Sequence, residues 1–240
     1  MAVGLDDLKK KLILANHILE FQETTNNVGR GHQSVLLPDR RHILIPGHIH
    51  GRGGGLAQMT VDDLVTIDSH GRLVEGGLEP MQEYPIHTCI YRARPDVGSV
   101  IHIHPFWAGV LALANVPIAP ISKDGCLFAD GVTILDRFPL FIGDDEIGTA
   151  AADALGTRKA LLHRGHGAIV VGRTIEEATI TAVFLERAAK AQWHAMAIGH
   201  PVAFNERAAA GYLDAGRHDC DEVFQYFSAR LAERRAASSR

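Results

Sequence analysis

Two histidines one residue apart, in Ile101-His102-Ile103-His104-Pro105, are where spacing first implies chemistry. On an extended strand, residues i and i+2 project to the same face. His102 and His104 therefore stand side by side, while Ile101 and Ile103 turn to an opposite, buried face. Two charged imidazoles so placed would repel, and a divalent metal held by both neutral rings removes that conflict. Pro105 ends the ladder and leaves the pair at a strand end. A third imidazole comes from Arg164-Gly165-His166-Gly167, a tight turn between two apolar runs whose glycines admit close approach of the backbone. His163 competes for that role, but strand alternation aims it differently, and it reads as a supporting or core residue. Upstream, Glu83 in Gln82-Glu83-Tyr84-Pro85-Ile86-His87 offers a carboxylate, as a fourth ligand or as a general acid/base tuned by the metal. Taken alone, the same glutamate suits the solvated first turn of a helix. Imidazoles with a carboxylate suit Mn2+ and Zn2+ alike, so one ion of either kind per subunit is expected.

Elements must hold these groups in place. Leu5 to about Glu20 has the apolar spacing of a helix, at Leu8, Leu12, Ala15 and Leu19. Val35–Leu37 and His42–Ile45 read as a hairpin around Pro38-Asp39-Arg40. His50-Gly51-Arg52-Gly53-Gly54-Gly55 reads as a permissive loop. Thr60 starts a short helix with Asp63 as its capping-box partner, Leu64–Asp68 reads as a strand, and Ser69–Arg72 reads as a turn. Glu83–Arg94 is a helix stopped by Pro95. Val97–His104 is a strand and Phe106–Ala114 a helix. Ile118–Ser122 and Val132–Leu135 read as further strands. Asp145–Leu155 is a helix closed by Gly156, and Ala160–His163 and Ala168–Val171 are strands flanking the His166 turn. Thr174 with Glu177 starts a long helix that Gly199 ends, and Asp219–Arg234 is a last helix. The elements mix without a steady βαβα rhythm, and no linker or repeat divides the chain. The expected fold is a single α/β domain over residues 1–240, an α/β/α sandwich on a mixed, largely antiparallel sheet.

Composition narrows the classes. A chain of 240 residues with 46% apolar content can bury a full core without staples. The net charge of −4 gives no electrostatic case for nucleic acid or an acidic membrane. Cys89, Cys126 and Cys220 are few and far apart, which predicts free thiols in a reducing compartment. The start MAVGLDDLKKK lacks an apolar core, so no signal peptide is expected, and no run reaches the ~18 apolar residues of a membrane span. A cytoplasmic location is expected.

The ordered motifs resemble the class II aldolase/adducin family over about residues 5–200. They are Gly31-His32-Gln33-Ser34, read as a loop; Asp62-Asp63-Leu64-Val65; Glu83…His87…Tyr91-Arg92-Ala93-Arg94-Pro95-Asp96; His102-Ile103-His104; Gly165-His166-Gly167; and Thr174-Ile175-Glu176-Glu177-Ala178. The resemblance implies that His102, His104 and His166 bind the metal and that Glu83 is a ligand or the catalytic acid/base. It also implies a homotetramer with active sites between subunits. The family's sugar-phosphate aldolases place GN-x-S-x-R and SG patterns around a phosphate. Here His32 stands for Asn, Leu36 for Arg and Gly47-His48 for SG, so that pocket looks dismantled and a carboxylate is the expected anion. The likeness is greatest to the family's decarboxylases of ortho-hydroxy aromatic or pyridine dicarboxylates, of the 3-hydroxy-2-methylpyridine-4,5-dicarboxylate or 3,4-dihydroxyphthalate type. Substrate contacts are expected from His32, Ser34, His48, Arg52 and Lys123, and from Tyr212 (with Tyr226 beside it) reaching a neighbour's pocket. Phe106 and Trp107 could stack on a flat ring but suit the core better. The alternatives are a sugar or sugar-phosphate aldolase, epimerase or dehydratase, and a non-catalytic binding module on the same fold.

Overall fold

Residues 4–25, 30–48, 55–136 and 141–238 are described by a computed structural model, without the side chains of 213–219. Eight strands form one sheet: β1 (Gly31–Leu36), β2 (His42–Pro46), β3 (Leu64–Asp68), β4 (Leu73–Glu75), β5 (Ser99–Ile103), β6 (Thr133–Leu135), β7 (Ala160–His163) and β8 (Gly167–Gly172). Their order is β4-β3-β2-β1-β5-β8-β7-β6. Only the β6–β7 pair is parallel, so the mixed, largely antiparallel sheet expected from the sequence is found.

Helices cover both faces. They are α1 (Leu5–Phe21), α2 (Tyr84–Ala93), α3 (Phe106–Leu113), α4 (Asp145–Leu155), α5 (Ile175–Ile198) and α6 (Glu206–Ser238). On one face Ile86 and Ile90 of α2 and Ile147 and Leu155 of α4 pack with Ile43, Val100, Leu161 and Ile169 of the sheet. On the other, Leu12 and Ile18 of α1 and Ile180 and Leu185 of α5 pack with Ile101, Ile103, Leu162 and Val170. Alternation along β5 thus sends Ile101 and Ile103 to the α1/α5 core. His102 shares the α2/α4 face with Val100.

Local signals set the ends. Asp144 accepts from the Ile147 N–H and Gly156, at φ 56°, closes α4. Thr174 accepts from the Glu177 N–H at the start of α5. Asp63 accepts from the Thr60 N–H, as the capping-box spacing implied, and the short helix it opens is a 3-10 helix, Val61–Asp63.

Three expectations need correction, and one strand was not expected. Ile118–Ser122 is not a strand. Pro117 and Pro120 deny it ladder donors, and Gln192 of α5 takes over: it accepts from the Ala119 N–H and donates to the Pro117 carbonyl. Gly31-His32-Gln33-Ser34 is not a loop but most of β1, its polar side chains buried and bonded rather than solvated. The strand Leu73–Glu75 went unread because its three residues are exposed and too few to show alternation. The last helix starts at Glu206, well before Asp219. Cys89, Cys126 and Cys220 are free thiols. No helix among the described residues is long and apolar enough to cross a membrane.

Candidate metal centre

Three strands and one helix start deliver the cluster. His32 of β1 lies directly across the ladder from His102 of β5, and His104 follows the end of β5. His166 sits in the turn from β7 to β8, whose Gly165 adopts φ 75°, a left-handed conformation that costs an ordinary residue about 1–2 kcal/mol. Gly167 is required by space: an added Cβ would lie 2.5 Å from the Ile103 carbonyl oxygen and within 3.1 Å of the His102 and His104 rings. Glu83 immediately precedes α2, whose second residue, Pro85, suits a helix start.

The side chains converge. The ring centroids of His102 lie 4.8 Å from His104 and 4.9 Å from His166, and those of His104 and His166 are 5.1 Å apart. Glu83 places Oε2 3.6 Å from His102 Nε2 and 3.8 Å from His32 Nε2, and Oε1 3.6 Å from His166 Nε2. The Ile142 N–H donates to Glu83 Oε1. One ligand atom from each of His102, His104 and His166 falls within 4.8 Å of the others, and His32, Glu83 and His102 make a second such group.

Burial decides protonation. It holds the His102 imidazole well below its ordinary range, against the pull of Glu83, and it also lowers His104. Burial and then the charges of His104 and His166 push His32 down to about 3. A neutral imidazole carries the lone pair that a metal needs. His102 is fully buried and neither of its nitrogens has a hydrogen-bond partner among the described residues. Such an orphaned ring costs free energy unless something fills the space it faces. Three imidazoles and a buried carboxylate are a donor set that suits a divalent transition metal.

The cluster opens onto a cavity of about 470 Å³ lined by Arg30, His32, His48, Glu83, His104 and His166 among others. Glu83, His102, His104, His166 and His32 are therefore brought together, and His48 lines the same cavity. Ser34 is not: it is fully buried and bonds His87 and Tyr91. Lys123 and Tyr212 are exposed and line no part of this cavity. Arg52 and His50 fall in 49–54, outside the described residues. His163 is buried at the end of β7, its ring 5.5 Å from that of His166. Trp107 packs on Trp193 and His194, and Phe106 is half-exposed beside it.

Sequence reasoning missed Arg30 and Glu186, and it quoted His87 and Tyr91 in a motif without assigning them a role. Arg30 lines the cavity, with no spacing signal to mark it. Glu186 of α5 accepts from the Trp107 and Ala108 N–H groups and so anchors α3 just beyond His104. Burial raises its pKa, and those N–H bonds oppose the rise. His87 bonds to both His32 and Ser34, and its i+4 neighbour Tyr91 bonds to Ser34.

The Class II Aldolase and Adducin N-terminal domain matches residues 10–193. The chain belongs to this family. A 5-methylthioribulose-1-phosphate/5-deoxyribulose-1-phosphate aldolase of Rhodospirillum rubrum is 35% identical over 145 residues, 60% of this chain and 65% of that protein. A 3,4-dihydroxyphthalate decarboxylase of Terrabacter is 29% identical over 181 residues, 70% of this chain and 73% of that protein. The chain spans between about half and two thirds of the length of the first curated relatives it matches. Among solved structures, the L-fuculose 1-phosphate aldolase of Glaciozyma antarctica superposes with a TM-score of 0.80 at 25% identity, covering 97% of this chain and 94% of that one.

Proposed function

We propose that this family member is a divalent-metal-dependent decarboxylase of an ortho-hydroxy aromatic or pyridine dicarboxylate, such as 3-hydroxy-2-methylpyridine-4,5-dicarboxylate. The observation that carries the reading is the cavity wall. Arg30, His32 and His48 gather nitrogen donors beside the imidazole–carboxylate cluster, and in the resemblance His32 stands where the family's phosphate-binding aldolases carry Asn and Gly47-His48 where they carry SG. The 29% identity to a 3,4-dihydroxyphthalate decarboxylase supports it.

In this reading His102, His104 and His166 hold Mn2+ or Zn2+. When bound, such an ion supplies Lewis-acid polarisation and a template for orientation. Glu83 is the proton carrier, delivering a proton to the ring carbon that loses its carboxylate. Its place among three imidazoles and under the Ile142 N–H fixes the carboxyl group beside the cluster, within reach of a bound substrate. His32 and His48 bind the substrate's carboxylates, and Arg30 offers the bidentate geometry that a carboxylate favours. The assembly is a homotetramer with sites at subunit interfaces, located in the cytoplasm. Tyr212, away from its own cavity, acts in this reading on a neighbour's, and Lys123 takes no part.

A second reading, a sugar-phosphate aldolase, draws on the 35% identity to the Rhodospirillum enzyme. Both are lyases, and one pair of assays separates them. Metal-reconstituted protein is given ortho-hydroxy benzene and pyridine dicarboxylates, with CO2 release followed, and ketose phosphates, with aldehyde release followed. Metal-dependent CO2 release is expected. Ketose phosphate cleavage without CO2 from any of the acids would replace the decarboxylase by the aldolase.

A further inference from the structure

His32 ends a line of buried hydrogen bonds that leads away from the cavity. His32 Nδ1 lies 2.7 Å from His87 Nε2, His87 Nδ1 lies 2.7 Å from Ser34 Oγ, and Ser34 Oγ lies 2.8 Å from the Tyr91 hydroxyl. All four side chains are buried. Neither ring has a carboxylate within hydrogen-bond distance, and a buried charged ring without one is costly, so both are taken as neutral. Each ring then has one N–H and one bare nitrogen, and the Ser34 hydroxyl donates once and accepts twice. A pattern in which Ser34 accepts from both His87 and Tyr91 leaves its own buried proton without an acceptor among the described residues, and two directions remain.

In the first, Tyr91 donates to Ser34, Ser34 donates to His87 Nδ1, and His87 Nε2–H donates to His32 Nδ1. The His32 proton is then on Nε2, facing the cavity. In the second, every bond is reversed. His32 Nε2 is bare, and the Tyr91 proton needs an acceptor elsewhere. Among the described residues the Tyr91 oxygen meets Ser34 and the Val100 backbone, whose influence favours the phenolate as an N–H donor's does. That donor cannot take the tyrosine's proton, and a buried hydroxyl with no acceptor is costly. His32 Nε2 faces Glu83 Oε2 from 3.8 Å, so the end of the chain opposite Tyr91 points at the cluster.

We infer that Tyr91, Ser34 and His87 are positioning residues that hold His32 as an Nε2–H donor into the cavity, so that His32 is a neutral donor to an anionic oxygen and not a ligand of the ion. The grouping of His32 with Glu83 and His102 is then no second metal site, and the ion keeps to His102, His104 and His166. That the anionic oxygen belongs to a substrate carboxylate rests on the proposed function; the direction of the chain does not.

The test is nitrogen-15 NMR of zinc-loaded protein with labelled histidine rings, the His32 signals being assigned by their loss in His32→Gln. Long-range proton–nitrogen correlations distinguish a protonated ring nitrogen from a bare or zinc-bound one. The expected result is a protonated Nε2 and bare Nδ1 for both His32 and His87, with one zinc per chain still bound by His32→Gln. His87→Gln, whose amide can accept from Ser34 and donate to His32, keeps the His32 pattern. His87→Leu leaves His32 divided between its two tautomers. A His32 protonated at Nδ1, or with Nε2 shifted by zinc, would overturn the inference. If His87→Leu does not fold, the parent protein and His87→Gln decide the question alone. An intact Nε2–H pattern with no CO2 release from any acid would remove the functional reading and leave this inference standing.

Discussion

His102 has no exposure to water, so everything it does is set by neighbours within a few ångströms. Its two unpartnered nitrogens and the Glu83 oxygen 3.6 Å away make it the residue on which ion binding depends most. His102→Ala is expected to lower zinc affinity by more than the roughly 10- to 100-fold that altering a supporting residue costs, read by competitive chelator titration. Unchanged affinity would place the ion elsewhere. Glu83→Gln removes a proton carrier and keeps the shape, so kcat for decarboxylation should fall by about 10²- to 10⁴-fold in steady-state assays. An unaltered kcat would assign the proton to another group. The ligand histidines were readable in the chain because an i, i+2 pair and a glycine-flanked turn are rare and have a physical reason. The roles of His87 and Tyr91 were not, since an i, i+4 pair on a helix resembles any other and its meaning lies in β1, more than fifty residues away.

At the scale of elements, precision comes from the strand ends around the cluster. Gly167 leaves no room for a side chain between the Ile103 carbonyl and the two ligand rings. Gly167→Ala is expected to destabilise the fold by about 1–3 kcal/mol, as overpacking does, and to weaken zinc binding along with it. Urea unfolding and the same titration measure both, and an affinity at the parent value would show that the rings tolerate the shift. Glu186 holds α3 by its first N–H groups, directly after His104 and Pro105. Its loss in Glu186→Ala leaves those donors without their partner, at a cost of about 1–3 kcal/mol by the same unfolding measurement. A change within error would mean that water replaces the carboxylate. Helices with caps and apolar periodicity were largely legible. Ile118–Ser122 was misread because apolar residues between prolines imitate a strand, while the donors that satisfy the segment sit on Gln192 of α5.

For the whole molecule, two cores on either side of one sheet trap neutral histidines, and stability must follow pH accordingly. Burial, with the charge of His32, holds His87 well below its ordinary value of 6.5. The unfolded chain therefore binds a proton near that pH that the folded chain refuses. The stability contributed is complete above about 6.5 and is lost as pH falls below it, by up to about 1.4 kcal/mol per pH unit for each such histidine. Unfolding free energies of the metal-free protein should fall steeply from about pH 7 downward, and less steeply in His87→Gln. A flat profile would contradict the trapped neutral rings. The sandwich class followed from the mixture of elements, but the order β4-β3-β2-β1-β5-β8-β7-β6 did not. Nothing local states that β1 and β8 flank β5, and that pairing is what brings His32 and the His166 turn to His102.

The account stands on one ion held by His102, His104 and His166. X-ray absorption at the zinc edge, on protein loaded with zinc and freed of excess, tests it most directly. The expected result is one zinc per chain with three imidazole ligands and oxygen completing the set, and a zinc content that collapses in His102→Ala. Zinc bound without imidazole, or in equal amount in the variant, would contradict it.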